Sequence, residues 1–186
     1  TTGLAIMESR DVGVTWNRLA TVSMFPTPPL PPGEFCYLGE PHAVEASPGH
    51  IVAFARFEIK PYVESRPVGY LWQFDSWDGG RTWTEPSPTP ILGKPPHLLK
   101  LADGRLLVTY GFRHPPYGQR ACLSADEGRT WDTAHEIVLR DDAPSSDLGY
   151  PSTAQCADGT LVTVYYQQES AGEMTRLMAT RWRLRD

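Results

Sequence analysis

Short apolar runs alternate with turn signals along the whole chain, and one such pattern occurs three times. The three copies are residues 41–56 (PHAVEASPGHIVAFAR), 96–111 (PHLLKLADGRLLVTYG) and 151–166 (PSTAQCADGTLVTVYY). In each copy an apolar run leads into a turn that ends in glycine, and a second apolar run follows. The glycines, Gly49, Gly104 and Gly159, recur at intervals of 55 residues. Two apolar runs around an Asp-Gly turn are typical of a β-hairpin. With no convincing amphipathic helix between them, the chain is predicted to be all-β.

A second repeat alternates with these hairpins and has the form Ser-x-Asp-x-Gly-x-Thr-Trp. Its copies are residues 9–16 (SRDVGVTW), 76–83 (SWDGGRTW) and 124–131 (SADEGRTW). The aspartate can accept backbone N–H bonds within a tight turn, and the glycine can adopt positive φ. The tryptophan then provides a large apolar group between neighbouring sheets. We interpret this turn motif as a folding device and not as a catalytic site.

One hairpin followed by one turn-motif hairpin gives four strands, which is the content of a β-propeller blade. Residues 1–30 are predicted to supply the last two strands of one blade, 40–92 and 95–140 complete blades, and 149–186 three strands ending with 175–185. A propeller closes with typically four to eight blades. The chain is therefore expected to hold roughly three to four blades of an incomplete propeller. The natural C-terminus is expected at this end, with the missing blades before residue 1 or supplied by a second copy.

Composition narrows the possible partners. The chain has 186 residues and a formal net charge of -5, and it carries no basic stripe. A nucleic-acid partner is therefore not expected. No apolar run reaches the roughly 20 residues that span a bilayer. The first residues show neither an initiator methionine nor a signal-peptide pattern. We expect an incomplete N-terminus, so the compartment is unknown, and secretion or the periplasm remains compatible with the sequence.

The sequence offers no pattern for a metal or a cofactor. The three cysteines (Cys36, Cys122 and Cys156) are far apart and form neither a CxxC pair nor a disulfide framework. The histidines lack ligand spacing, and no Gly-rich phosphate loop is present. His42 and His97 follow a proline at the same repeat position, which indicates a role in packing. We predict no metal site and no cofactor.

Both repeats together resemble the bacterial sialidase family with BNR (Asp-box) repeats, over nearly the whole chain. The segments that carry the resemblance are GEPHAVEASPGHIVAFAR, TYGFRHPPYGQRACLSADEGRTW and DLGYPSTAQCADGTLVTVYY. The resemblance implies a sialidase-type propeller, six-bladed when complete, of which this chain is the C-terminal half.

The same resemblance implies site residues. Glu40 and Arg56 match the family glutamate at the start of a blade and the arginine at the end of that hairpin's second strand. Tyr150 matches the tyrosine that opens a later blade. A further arginine precedes an Asp box, where Arg120 matches best and Arg113 second.

These residue types suit the chemistry that the resemblance implies. An arginine fork binds the carboxylate of a sialic acid, which Arg56 and Arg120 are expected to do. Tyr150 is expected to be the nucleophile of a retaining exo-sialidase, since sialidases depart from the two-carboxylate scheme of glycosidases. A phenol has a pKa near 10 and therefore needs a base, for which Glu40 is the candidate.

Two departures and two alternatives qualify this interpretation. The family's general-acid aspartate and first arginine belong to earlier blades, so the chain alone is expected to be poorly active. Pro151 follows Tyr150 where many members have serine. One alternative is a hydrolase or lyase for another acidic sugar. The other is a non-catalytic propeller that binds glycan or protein. Fold does not decide among them, because function depends on the site.

Overall fold

The computed structural model describes residues 2–24, 30–61 and 69–184, and within these ranges it consists of thirteen strands and no helix. The strands are β1 (Thr2–Glu8), β2 (Asn17–Met24), β3 (Phe35–Ser47), β4 (His50–Lys60), β5 (Tyr70–Ser76), β6 (Ser87–Leu92), β7 (Pro96–Lys100), β8 (Leu106–Phe112), β9 (Gly118–Ser124), β10 (Ile137–Arg140), β11 (Gly149–Gln155), β12 (Leu161–Gln167) and β13 (Arg176–Trp182). The all-β prediction is confirmed. Nothing in the described part forms a helix long and apolar enough to cross a membrane.

The strands form four antiparallel sheets that follow one another along the chain. Their strand orders are β1-β2, β3-β4-β5-β6, β7-β8-β9-β10 and β11-β12-β13. The last predicted strand, 175–185, is observed as β13, and Arg185 lies outside the described residues. The division into blades at the boundaries given above stays a prediction.

Consecutive sheets pack face to face through apolar side chains. Val52 and Phe54 on β4 share a buried cluster with Leu98 on β7 and with Leu106 and Val108 on β8. A separate cluster joins the third and fourth sheets, formed by Leu101, Leu107, Ala121 and Leu161. Removing such side chains from water is the main favourable contribution to folding. Each sheet therefore buries its apolar face against a neighbouring sheet, and its stability depends on that contact.

The turn motif forms a closed hydrogen-bond unit, which the second copy illustrates. Asp78 accepts the backbone N–H of Thr82 at 2.8 Å and the Thr82 hydroxyl at 2.7 Å. Ser76 donates its hydroxyl to Asp78 at 2.9 Å and accepts the N–H of Gly80, whose φ is 89°. The hydrogen bonds from Thr82 lower the pKa of Asp78 to about 2. The carboxylate is thus fully used within the turn, in agreement with a folding role.

Tryptophan at the end of this motif packs differently in different copies. Trp131 is 8% exposed, lies 5.0 Å from Phe54 between ring centroids, and donates its indole N–H to Gln73 at 3.0 Å. Both partners belong to the preceding sheet, so Trp131 joins two sheets. Trp16, the equivalent residue of the first copy, is 59% exposed.

Two histidines connect the first strands of neighbouring sheets. His42 on β3 accepts the backbone N–H of Leu98 at 3.0 Å, and His97 on β7 accepts that of Thr153 on β11 at 3.4 Å. Their rings lie 4.2 Å apart. Burial, together with the neighbouring His42, lowers the pKa of His97 to about 4. Both bonds require an unprotonated Nδ1, so the contact depends on neutral imidazoles.

We predict that Trp131→Ala lowers the free energy of unfolding by about 3–5 kcal/mol, the usual cost of deleting a buried tryptophan. Trp16→Ala should cost less than about 1 kcal/mol, as expected for an exposed side chain. Urea unfolding of both variants measures the difference. Equal losses at the two positions would contradict the packing role assigned to Trp131.

We also predict a loss of stability on acidification that depends on His97. The unfolded imidazole takes up a proton near pH 6.5 and the folded one only near pH 4. Between these values the unfolded chain binds the extra proton. The contribution of His97 to the free energy of unfolding is therefore fully present above about pH 6.5 and decreases as the pH falls towards 4. His97→Asn keeps an acceptor near Nδ1 but does not titrate, so urea midpoints measured across this range should fall less steeply. An unchanged slope would show that His97 is not responsible.

Candidate active site

Glu40 and Tyr150 share an unusual backbone conformation at the start of equivalent hairpins. Their φ angles are 52° and 50°, in the left-handed region that residues other than glycine rarely adopt. Strands β3 and β11 each have a register shift at this point, between Gly39 and His42 and between Gly149 and Ser152. Such bulges re-aim a side chain away from the regular alternation of a strand. Both residues are thereby turned out of their sheets.

The two side chains meet although 110 residues separate them. The Tyr150 hydroxyl donates a hydrogen bond to Oε1 of Glu40. This bond, followed by partial burial and the Glu40 charge, raises the pKa of Tyr150 above its ordinary value. Tyr150 nevertheless remains 52% exposed. The arrangement is an accessible neutral phenol that is hydrogen-bonded to a carboxylate.

Arg56 contacts this pair from β4. Its Nη1 donates to Oε2 of Glu40 at 3.2 Å, and its Nε donates to Oε1 of Glu58 at 2.7 Å. The register of β3 and β4 brings Arg56 close to Glu40, because Arg56 pairs with Gly39, the residue before Glu40. The guanidinium is mostly buried and is held on two sides by carboxylates.

Glu58 is a member of the site that the sequence interpretation missed. It is buried and accepts hydrogen bonds from Lys94 at 2.9 Å and from Tyr37 at 2.9 Å, besides those from Arg56. Lys60 lies 3.0 Å from the same carboxylate. Burial alone raises the pKa of Glu58, but the donors outweigh it and hold that pKa far below the usual range. Alternation along β4 could have found it, since Glu58 is two residues from Arg56 and so shares its face.

Of the two arginine candidates, the structure places Arg113 next to Tyr150. Its Nη2 donates to the Tyr166 hydroxyl at 3.3 Å, and the Tyr166 ring lies 5.9 Å from that of Tyr150. A Cβ on Gly149 would lie 3.3 Å from this Nη2, so the glycine makes room for the arginine. Tyr166 in turn donates to Asp147 at 2.9 Å.

Arg120, which the sequence interpretation preferred, has other partners. Its Nη1 donates to Glu136, and its guanidinium lies 3.6 Å from the ring centroid of Phe112. Glu136 also accepts the hydroxyl of the buried Tyr110. Arg120 is therefore engaged within its own sheet, and this geometry does not support its preference over Arg113.

An open cleft of about 330 Å³ lies between the first strands of three sheets. It is lined by Glu40, Pro41, His42, Pro95, Pro96, His97, Tyr150 and Pro151. Among the residues that the structure describes, no cluster of acidic, histidine or cysteine side chains could hold a metal ion. The residues that line this cleft can supply a nucleophilic hydroxyl and a proton acceptor, and the guanidinium of Arg56 contacts Glu40 beside it.

Comparison with known proteins supports the fold and the family. The model of the BNR repeat-like domain matches residues 2–164. No curated protein matches the chain in sequence. A crystal structure of a protein of unknown function from Dyadobacter fermentans is similar to the chain with a TM-score of 0.78 and 30% identity, and the match covers 97% of this chain and 45% of that one.

Two sialidase structures are similar at lower identity. The Hadza microbial sialidase Hz136 matches with a TM-score of 0.65 and 20% identity over 94% of this chain and 37% of its own. The K499G mutant of NanB sialidase from Streptococcus pneumoniae matches with a TM-score of 0.61 and 20% identity, and the match covers 90% of this chain and 24% of that one. The chain thus spans less than half the length of these structures. It belongs to the BNR repeat-like domain family and has the fold of part of a sialidase-type β-propeller.

Proposed function

We propose that the chain contributes the nucleophile and its proton acceptor to a glycoside hydrolase that removes terminal sialic acids with retention of configuration. The observation that carries the proposal is the hydrogen bond from the Tyr150 hydroxyl to Glu40. A phenol is a weak nucleophile at neutral pH unless a base takes its proton as it attacks. Glu40 lies at the atom where that base is needed.

In the proposed reaction the Tyr150 oxygen attacks the anomeric carbon while its proton passes to Glu40. The bond from that carbon to the leaving oxygen breaks, and the leaving oxygen takes a proton from a general acid that the family places outside this chain. Water then attacks the anomeric carbon and gives up a proton to the conjugate base of that general acid. The bond from this carbon to the Tyr150 oxygen breaks, and Glu40 returns its proton to the departing phenolate. Two displacements retain the configuration.

The raised pKa of Tyr150 favours this chemistry over that of a permanent phenolate. A sialic acid carries its carboxylate on the carbon that is attacked. A neutral phenol approaches that carbon without charge repulsion, and its negative charge develops only as Glu40 takes the proton.

Arg56 and Arg113 are the proposed partners of the substrate carboxylate. Both flank the Tyr150–Glu40 pair, and an arginine fork binds carboxylate through parallel N–H bonds. Arg56 is already fixed by Glu40 and Glu58, so its remaining N–H groups have a defined direction. The same pair of cations would also suit another acidic sugar. An assay that compares sialosides with glycosides of other acidic sugars distinguishes the two substrate classes.

We predict that the full-length protein releases the phenol from an aryl sialoside and that Tyr150→Phe loses at least about 1,000-fold in kcat, because nucleophile and base act as one unit. Tyr165→Phe is the matched control. Tyr165 is the neighbour of Tyr166 on β12, and its hydroxyl contacts Arg140 and Thr180 instead of the cleft. The control should lose stability but keep its turnover.

Full activity in Tyr150→Phe would remove Tyr150 as the nucleophile. Absence of turnover in the well-folded parent with sialosides, but turnover with glycosides of another acidic sugar, would change the substrate class. Absence of turnover with every acidic glycoside would favour the non-catalytic binding propeller.

A second prediction separates the two arginines. Arg113→Met should raise KM for the aryl sialoside about 10- to 100-fold, the equivalent of losing one charge-assisted hydrogen bond. Arg120→Met should leave KM nearly unchanged and lower the urea midpoint, because it leaves Glu136 without its guanidinium partner. The opposite result would restore Arg120 as the substrate-binding residue.

A further inference from the structure

A second group of polar and aromatic side chains lies at the other end of the sheet β3-β4-β5-β6. It contains His50 at the beginning of β4, whereas Arg56 of the candidate active site is six residues further along. At about 3.4 Å per residue the two positions are about 20 Å apart. The group is therefore separate from the cleft that contains Tyr150.

Trp77 is the aromatic surface of this group. It is 63% exposed, and one face of its indole stacks on His50, with ring centroids 5.2 Å apart and an angle of 6° between the planes. His50 is buried and its Nε2 lies 3.1 Å from the carboxylate of Asp75. One face of the indole thus packs against His50, and the contact with Asp75 fixes the position of that histidine.

The neighbouring turn motif adds a second carboxylate. Oε2 of Glu127 accepts the Ser47 hydroxyl at 3.3 Å and lies 3.6 Å from Nδ1 of His50. Glu127 and Arg129 line a cleft of about 310 Å³ together with His50, Asp75 and Trp77. That volume is within the range of small-molecule sites. The cleft offers carboxylate acceptors, a guanidinium donor and one flat apolar surface.

The repeats do not require these residues. The position of Trp77 in the turn motif is taken by Arg10 and Ala125 in the other two copies. Glu127 stands where the first copy has Val12 and the second has Gly79, and all three adopt positive φ, at 59°, 58° and 69°. A side chain at such a φ is strained compared with glycine. The positive φ thus belongs to the turn motif itself, whereas the glutamate and the exposed tryptophan side chains each occur in one copy only.

We propose that this cleft binds an uncharged hexopyranose unit. The apolar C–H face of the sugar would stack on Trp77, whose ring face carries partial negative charge. Its hydroxyl groups would donate to Glu127 and Asp75 and accept from Arg129. The two carboxylates disfavour an acidic sugar, and Arg129 disfavours a simple cation. The site is independent of the activity proposed for Tyr150.

Fluorine NMR of the chain labelled with 5-fluorotryptophan tests the proposal, with lactose as the probe. The signal absent from Trp77→Ala identifies Trp77. We expect this signal to shift saturably in wild type with a dissociation constant in the millimolar range. Saturation-transfer difference NMR of the lactose protons should show binding to wild type and none to Trp77→Ala. Ala125 occupies the equivalent place in another copy, so the substitution should not impair folding. Trp16→Ala, which removes another exposed indole of the turn motif, should leave the Trp77 response intact.

Glu127→Gly provides a second test, in which stability should increase while lactose binding becomes weaker. Relief of the positive φ should raise the urea midpoint, while loss of the acceptor should weaken lactose binding roughly tenfold. A variant that is more stable but binds less shows that Glu127 serves the ligand and not the fold.

Three results would overturn the proposal. One is a Trp77 signal that does not shift saturably with lactose. Another is a stronger response of this signal to N-acetylneuraminic acid than to lactose, which would indicate an anion site. A third is a stronger response to tetramethylammonium, which would indicate a cation site.

Discussion

The first strands of three sheets, β3, β7 and β11, lie side by side because each sheet packs an apolar face against the next. Backbone N–H bonds to His42 and His97 fix this alignment. The contact between Tyr150 and Glu40 depends on it, since no local interaction could join residues so far apart in the chain. A defect in sheet packing should therefore affect the candidate active site even where no site residue is changed.

Strained backbone conformations occur at residues of both proposed sites. Glu40, Tyr150 and Glu127 are non-glycine residues at positive φ, and each belongs to one of the two proposed sites. The surrounding sheets hold these conformations in place, as is common for functional residues. Val12, which shares the conformation but contacts neither site, shows that strain alone does not identify a site.

The repeats made most of the fold predictable, because strand, turn and tryptophan recur at fixed positions. The approach of Tyr150 to Glu40 could also be predicted, although only through the family resemblance. The different surroundings of Arg113 and Arg120 could not, because sequence order does not show which guanidinium contacts Tyr166 and which is paired with Glu136. Glu58 was missed because β4 continues beyond the hairpin pattern. The cleft at Trp77 was missed because its residues come from separate hairpins and turn motifs.

The ion pairs around Glu58 affect how Arg56 would bind an anion. The guanidinium, Lys60 and Lys94 place three cations around Glu58 and Glu40, so a positive charge remains after pairing. The side chain of Arg56 is also immobilised on folding, when its rotational entropy is lost. A ligand carboxylate would therefore not have to order this arginine, and more of the contact energy would appear as affinity.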